Sequence, residues 1–129
     1  MNIDALVQMA TGARLNAYAP YSNFKVGAAL RAATGEVFTG CNVENVSYGL
    51  TICAERVAVG SAVQAGATEF DHLAIVTDST EPVVPCGACR QVLAEFCPDL
   101  RITSRTVSGL TAEFALGTLL PKPRQGILA

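Results

Sequence analysis

The sequence predicts an α/β fold: a three-layer α/β/α sandwich around one mixed five-stranded sheet whose last two strands are antiparallel. Three observations carry this prediction. Helical and alternating apolar periods follow one another in the order α-β-β-α-β-α-β-β along 129 residues. Half of the residues are apolar, enough to build the core of a single domain spanning residues 1–129. The last two strand-like runs are separated by little more than Val107-Ser108-Gly109, too short for the crossover of roughly a dozen residues that parallel neighbours need.

Residues 4–18, "DALVQMATGARLNAY", place apolar side chains at near-helical spacing behind Asn2 or Asp4 as a cap, and "APYS" ends the run. In "FKVGAALRA" the residues Phe24, Val26, Ala28 and Leu30 share one face; "TGE" then turns the chain into "VFTGCN", a hairpin. "ICAERVAVGSAVQAG" is apolar almost all round and stops at Gly66, the pattern of a central helix buried against a sheet. "HLAIVT" is a short strand. Pro85 opens a helix through "CGACRQVLAEF", which Pro98 closes. The remainder reads as two strands and a final helical turn ending at Pro121, with residues 121–129 expected to be a loose tail.

A net charge of −2, with acidic and basic residues scattered rather than blocked, gives no footprint for nucleic acid or anionic lipid. A small-molecule partner is expected instead. No apolar run reaches membrane-spanning length, and "MNIDALVQMATGAR" lacks a basic region followed by an apolar one, so a cytoplasmic location is the expectation.

Five cysteines are an odd number without an export signal, which argues against a disulfide framework and for metal binding by some of them. Cys53 lies two residues before Glu55, and Cys86-x-x-Cys89 follows Pro85, each at the start of a helix. Three thiolates on two helix N-termini suit zinc, and three protein ligands leave a fourth position open for water. Cys41 and Cys97 have apolar neighbours and read as small buried hydrophobes. The sole histidine, His72, stands at the front of a strand, where a surface or loop setting is expected. Two rivals stay open on residue pattern alone. A redox pair at Cys86 and Cys89 leaves Cys53 and Glu55 unexplained, and a structural, non-catalytic zinc module needs a fourth ligand. Zinc deaminases carry His or Cys, then x-Glu, then Pro-Cys-x-x-Cys, with the Glu moving protons rather than binding metal; "CAE…PCGAC" fits the all-cysteine version.

The chain resembles the small homotetrameric, zinc-dependent cytidine deaminases from "YAPYSNFKVGAAL" through "GCNVENVSYGLTICAER" and "PCGACRQVLAEF" to "LLP". The antiparallel last strands match this family as well. The resemblance implies one Zn2+ per chain held by Cys53, Cys86 and Cys89, with Glu55 as the catalytic proton shuttle. It implies hydrolysis of cytidine and 2′-deoxycytidine to uridine and 2′-deoxyuridine with release of ammonia, in pyrimidine salvage. A blasticidin-type cytosine nucleoside is the alternative substrate. Asn42 and Glu44, two apart and therefore on the same side of extended backbone, are implied to bind the ribose. Phe24 is implied to pack on the pyrimidine, and the Ala54 N–H and the Pro85 carbonyl to contact the base. Tyr48 is implied to reach a neighbouring subunit's site in a homotetramer. Three thiolates leave a zinc cluster near −1 in charge, so Arg56 and the two helix N-termini are expected to offset them. The family's usual aromatic after "LLP" is replaced by Arg124, a planar cation able to lie over a base.

Overall fold

The computed structural model of the chain describes residues 2–123, so Arg124 and the end of the expected tail lie outside the described residues. Helix α1, Ile3–Arg14, is capped by Asn2, whose side chain accepts the Ala5 N–H at 2.8 Å. Strands β1 (Val26–Ala32) and β2 (Val37–Cys41) form the expected hairpin around Gly35, which takes the left-handed conformation at φ 99°. Helix α2 (Ala54–Gln64), strand β3 (Phe70–Thr77) and helix α3 (Gly87–Phe96) follow, then strands β4 (Arg101–Thr106) and β5 (Thr111–Ala115) and the single turn α4 (Leu116–Leu119).

The sheet order is β2-β1-β3-β4-β5. Only β3 and β4 pair in parallel, with α3 as their crossover; β4 and β5 pair antiparallel, as the short turn requires. Alternation along the strands sorts their side chains between two layers. Ala29, Ala74 and Val76 meet Leu6, Val7 and Ala10 of α1 on one face. Ala28, Leu30, Leu73, Ile75 and Ile102 meet α2 and α3 on the other. At two points strand and helix touch without an intervening side chain. A Cβ on Gly27 would stand 1.9 Å from the Ala10 carbonyl, and one on Gly40 would stand 2.3 Å from the Ala54 carbonyl.

Four expectations need correction. Helix α1 stops at Arg14 rather than continuing to residue 18, because Tyr18 pairs instead with the segment after β2: its N–H donates to the Asn42 carbonyl at 3.0 Å and its carbonyl accepts from the Glu44 N–H at 2.9 Å. Helix α2, apolar almost all round, is covered on one side only; Val63 is 42% exposed. His72 is neither on the surface nor in a loop. It lies within β3, 4% exposed, with Nε2 2.7 Å from Thr103 Oγ1. Since the Thr103 hydroxyl also donates to the Glu113 carboxylate at 2.9 Å, the imidazole is the donor in the first of these bonds. Burial pushes its pKa below the usual histidine value. Cys41 and Cys97 are half-buried rather than enclosed.

Candidate metal centre and active site

The helix starts do the positioning. Cys53 and Cys86 are the N-cap residues of α2 and α3, both in extended conformation, and neither uses its side chain to cap. Cysteine is a poor capping residue, so both sulfurs are free to turn toward one another. Cys89, one turn into α3, is fully buried. The three sulfurs lie within 4.8 Å of one another. Neither Cys41, Cys97 nor His72 belongs to this group.

The donor set fits zinc. Two sulfurs bonded tetrahedrally at about 2.3 Å to one zinc stand about 3.8 Å apart, and the Cys53 and Cys86 sulfurs are 3.8 Å apart. Arg56 Nη2 donates to Cys53 Sγ and to the Thr51 carbonyl, each at 3.4 Å. The positive charge expected beside the thiolates is in contact with one of them. The Cys89 thiol, followed by the Arg56 guanidinium, hydrogen-bonds to Cys53 and draws its pKa down to about 5. Cys89 moves the opposite way, as donor to Cys53 and by burial. Glu55 is 5% exposed, and its carboxyl is raised above the ordinary range first by burial and further by the negative charge of Cys53. A carboxyl that holds its proton more readily than one in water suits proton transfer near neutral pH.

A cavity of about 250 Å³ opens beside the sulfurs, a size for one small molecule. Phe24, Asn42, Cys53, Ala54 and Glu55 line it, with Val83 and Val84 adding apolar wall. Five residues named from the sequence therefore face one cavity. Glu44, Tyr48 and Pro85 do not line it. Glu44 is buried, and its carboxylate takes hydrogen bonds from Tyr21 and Ser22; the Ser22 hydroxyl above all holds its pKa below the usual range. Tyr48 sits on a 3₁₀ turn, Tyr48–Leu50, and is 68% exposed. The Pro85 carbonyl accepts from Arg90 Nε at 2.7 Å. Sequence reasoning missed Ser22, Thr51 and the Val83-Val84 wall. Ser22 stands in the sequence only as the last residue of the "APYS" that ends the first helical run, because a serine bonding a carboxylate 22 residues away leaves no local signature.

Fold and site together define a zinc-binding hydrolytic deaminase, with three thiols on two helix N-termini and a buried glutamate two residues after the first. The chain belongs to the cytidine and deoxycytidylate deaminase family: residues 1–104 match the profile of the cytidine and deoxycytidylate deaminase zinc-binding region. A cytidine deaminase from Sporosarcina psychrophila is 46% identical over 122 residues, covering 94% of this chain and 90% of that protein. The crystal structure of a cytidine deaminase from Burkholderia pseudomallei superposes with a TM-score of 0.93 at 50% identity, over 96% of this chain and 100% of the other. A blasticidin-S deaminase from Bacillus cereus is 38% identical over 82 residues, 57% of this chain and 59% of its own length.

Proposed function

We propose that this chain hydrolyses cytidine and 2′-deoxycytidine to uridine and 2′-deoxyuridine with release of ammonia. The observation that carries the reading is Glu55, buried on the wall of a nucleoside-sized cavity beside three clustered sulfurs. Cys53, Cys86 and Cys89 would hold zinc, which when bound supplies an activated water as nucleophile. Phe24 and the valine wall hold the pyrimidine ring, with the Ala54 N–H and the Pro85 carbonyl as contacts to the base. Asn42 and Glu44 take the sugar. Glu55 does the proton work: it accepts a proton from the attacking water and passes it to ring N3 so that C4 becomes electrophilic, and after attack it takes the second proton from the new C4 hydroxyl and gives it to the departing amine, leaving a C4 carbonyl. Water is consumed and ammonia released, with Glu55 restored at the end. Arg56 and the α2 and α3 N-termini balance thiolate charge without touching substrate.

We read residues 1–129 as one catalytic domain working in the cytoplasm in pyrimidine salvage. Among the described residues no helix is long and apolar enough to cross a membrane. Homotetramerisation with shared active sites is supported by exposed apolar side chains on the segment after β2: Val46, Tyr48 and Leu50 are 77%, 68% and 67% exposed, a cost that a subunit contact would remove. Arg124 as a cover for the base rests on the sequence alone.

The test is zinc per chain measured beside turnover of cytidine, 2′-deoxycytidine and blasticidin S. One zinc per chain with preference for the first two is the expected result. Absence of zinc, or zinc without turnover of any of the three, overturns the reading; preference for blasticidin S overturns the substrate.

A further inference from the structure

The loop between α1 and β1 contains a hydroxyl that bonds both Phe24, which lines the cavity, and the buried Glu44, which does not. Ser22 Oγ donates to Glu44 Oε2 and accepts the Phe24 N–H at 3.0 Å. Asn23 between them takes the left-handed conformation, φ 59°, which asparagine tolerates better than most residues and which folds Phe24 back toward the serine. Glu44 Oε1 accepts the Tyr21 and Ser22 N–H groups at 3.0 and 3.1 Å. Asn42 ties the same segment from the other side: its Oδ1 accepts the Val26 N–H at 2.9 Å, and its Nδ2 donates to the Phe24 carbonyl at 2.8 Å.

Counting capacity shows what remains. A carboxylate has about four acceptor positions and a side-chain amide two N–H donors. At Glu44 three acceptor positions are filled, two on Oε1 and one on Oε2. At Asn42 one of the two donors is filled, and Asn42 lines the cavity. Among the described residues one acceptor and one donor are left over. A sugar hydroxyl both donates and accepts, so this pair matches a single hydroxyl. Ser22 completes the fixing of that acceptor, because without its proton Oε2 has two open positions and only the two N–H bonds at Oε1 hold the carboxylate. Removing the hydroxyl also leaves the Phe24 N–H without its acceptor, on the residue that walls the base side.

We propose that Ser22 is a positioning residue for sugar recognition, fixing the Glu44 carboxylate so that one acceptor remains for one sugar hydroxyl. The inference rests on the cytidine deaminase reading above. Its test uses the zinc-loaded enzyme and two substrates that differ by one hydroxyl, 2′-deoxycytidine and 2′,3′-dideoxycytidine, with the parent, Ser22→Ala and Ser22→Thr compared for kcat/KM and Tm. The parent prefers the substrate bearing the 3′-hydroxyl. Ser22→Ala narrows that preference by about tenfold, the scale of one charge-assisted hydrogen bond, chiefly through the KM for 2′-deoxycytidine. Ser22→Thr, which keeps the hydroxyl, restores most of the preference. An active parent whose preference is unchanged in Ser22→Ala, or whose two substrates lose kcat/KM in equal proportion, overturns the role given to Ser22 while leaving deamination standing. A parent unable to turn over cytidine overturns the functional reading and this inference with it.

Discussion

Replacing Gly40 by alanine should reduce activity from outside the cavity. A Cβ at this position would lie 2.3 Å from the Ala54 carbonyl and 2.5 Å from the Ala58 N–H, both backbone atoms of α2. Real Cβ contacts essentially never fall below 3.0 Å, so the nearer one is short by 0.7 Å (3.0 less 2.3). No side chain is available to rotate away, and α2 has to move off the sheet at its first turn. That turn follows Cys53 and carries Ala54, Glu55 and Arg56. Overpacking of this kind costs about 1–3 kcal/mol in stability, and a misplacement near 1 Å in a catalytic constellation costs on the order of a hundredfold in rate. For a 0.7 Å shift we expect kcat for cytidine to fall by roughly ten- to a hundredfold, with Tm lowered as well. Gly60→Ala in the same helix is the control, since a Cβ there meets nothing within 4 Å; it should raise stability by about 0.5–1 kcal/mol through helix propensity and leave kcat alone. A Gly40→Ala enzyme with parental kcat and Tm would refute the claim that close backbone contact sets the position of α2.

Glu55→Gln should keep zinc and Tm while turnover falls by at least about a hundredfold, because an amide hydrogen-bonds but does not shuttle protons; near-parental turnover would remove Glu55 from its role. Cys89→Ala should lose zinc and stability together, as metal binding is coupled to folding, and full zinc in the purified variant would refute its assignment as a ligand. His72 gives a pH prediction. Its folded pKa lies below the unfolded value, so the unfolded chain binds more protons between the two; the stability it contributes is fully present above the unfolded value, about 6.5, and is lost as pH falls through the folded one. The charges facing the ring are Glu113, Arg31, Arg101 and Asp71. In His72→Gln the Tm drop between about pH 7.5 and about pH 5 should be smaller than in the parent; an identical drop would exclude His72 as a contributor.

What could be read from the sequence and what could not differ in range along the chain. Helix starts were legible because a proline before Cys86 and an apolar run after Cys53 act within a few residues of themselves. The β4–β5 pairing was legible because a turn of a few residues permits only one direction. The end of α1 was not, since residues 15–18 carry a helical pattern and lose it only to pairing between Tyr18 and the chain after β2, more than twenty residues on. The buried setting of His72 has no local signal for the same reason. Its partners, Thr103 and Glu113, are on β4 and β5, and the sequence does not say that those strands will lie beside it. At the site, the sulfurs and Glu55 follow from spacing within helix starts, whereas Ser22 serves a carboxylate 22 residues away.

The sheet order also has a bearing on the sequence of events in folding. Helix α2 connects β2 to β3, and α3 is the crossover between the parallel strands β3 and β4. In the folded chain the two helix starts meet over strands joined by the β1–β3 and β3–β4 pairings, which are of high sequence separation, a kind of contact that forms slowly. The three sulfurs thus have no local precursor. A partly folded chain offers Cys86 and Cys89 from one short segment and Cys53 from another, 33 residues earlier, and the cluster exists only once the middle of the sheet has closed.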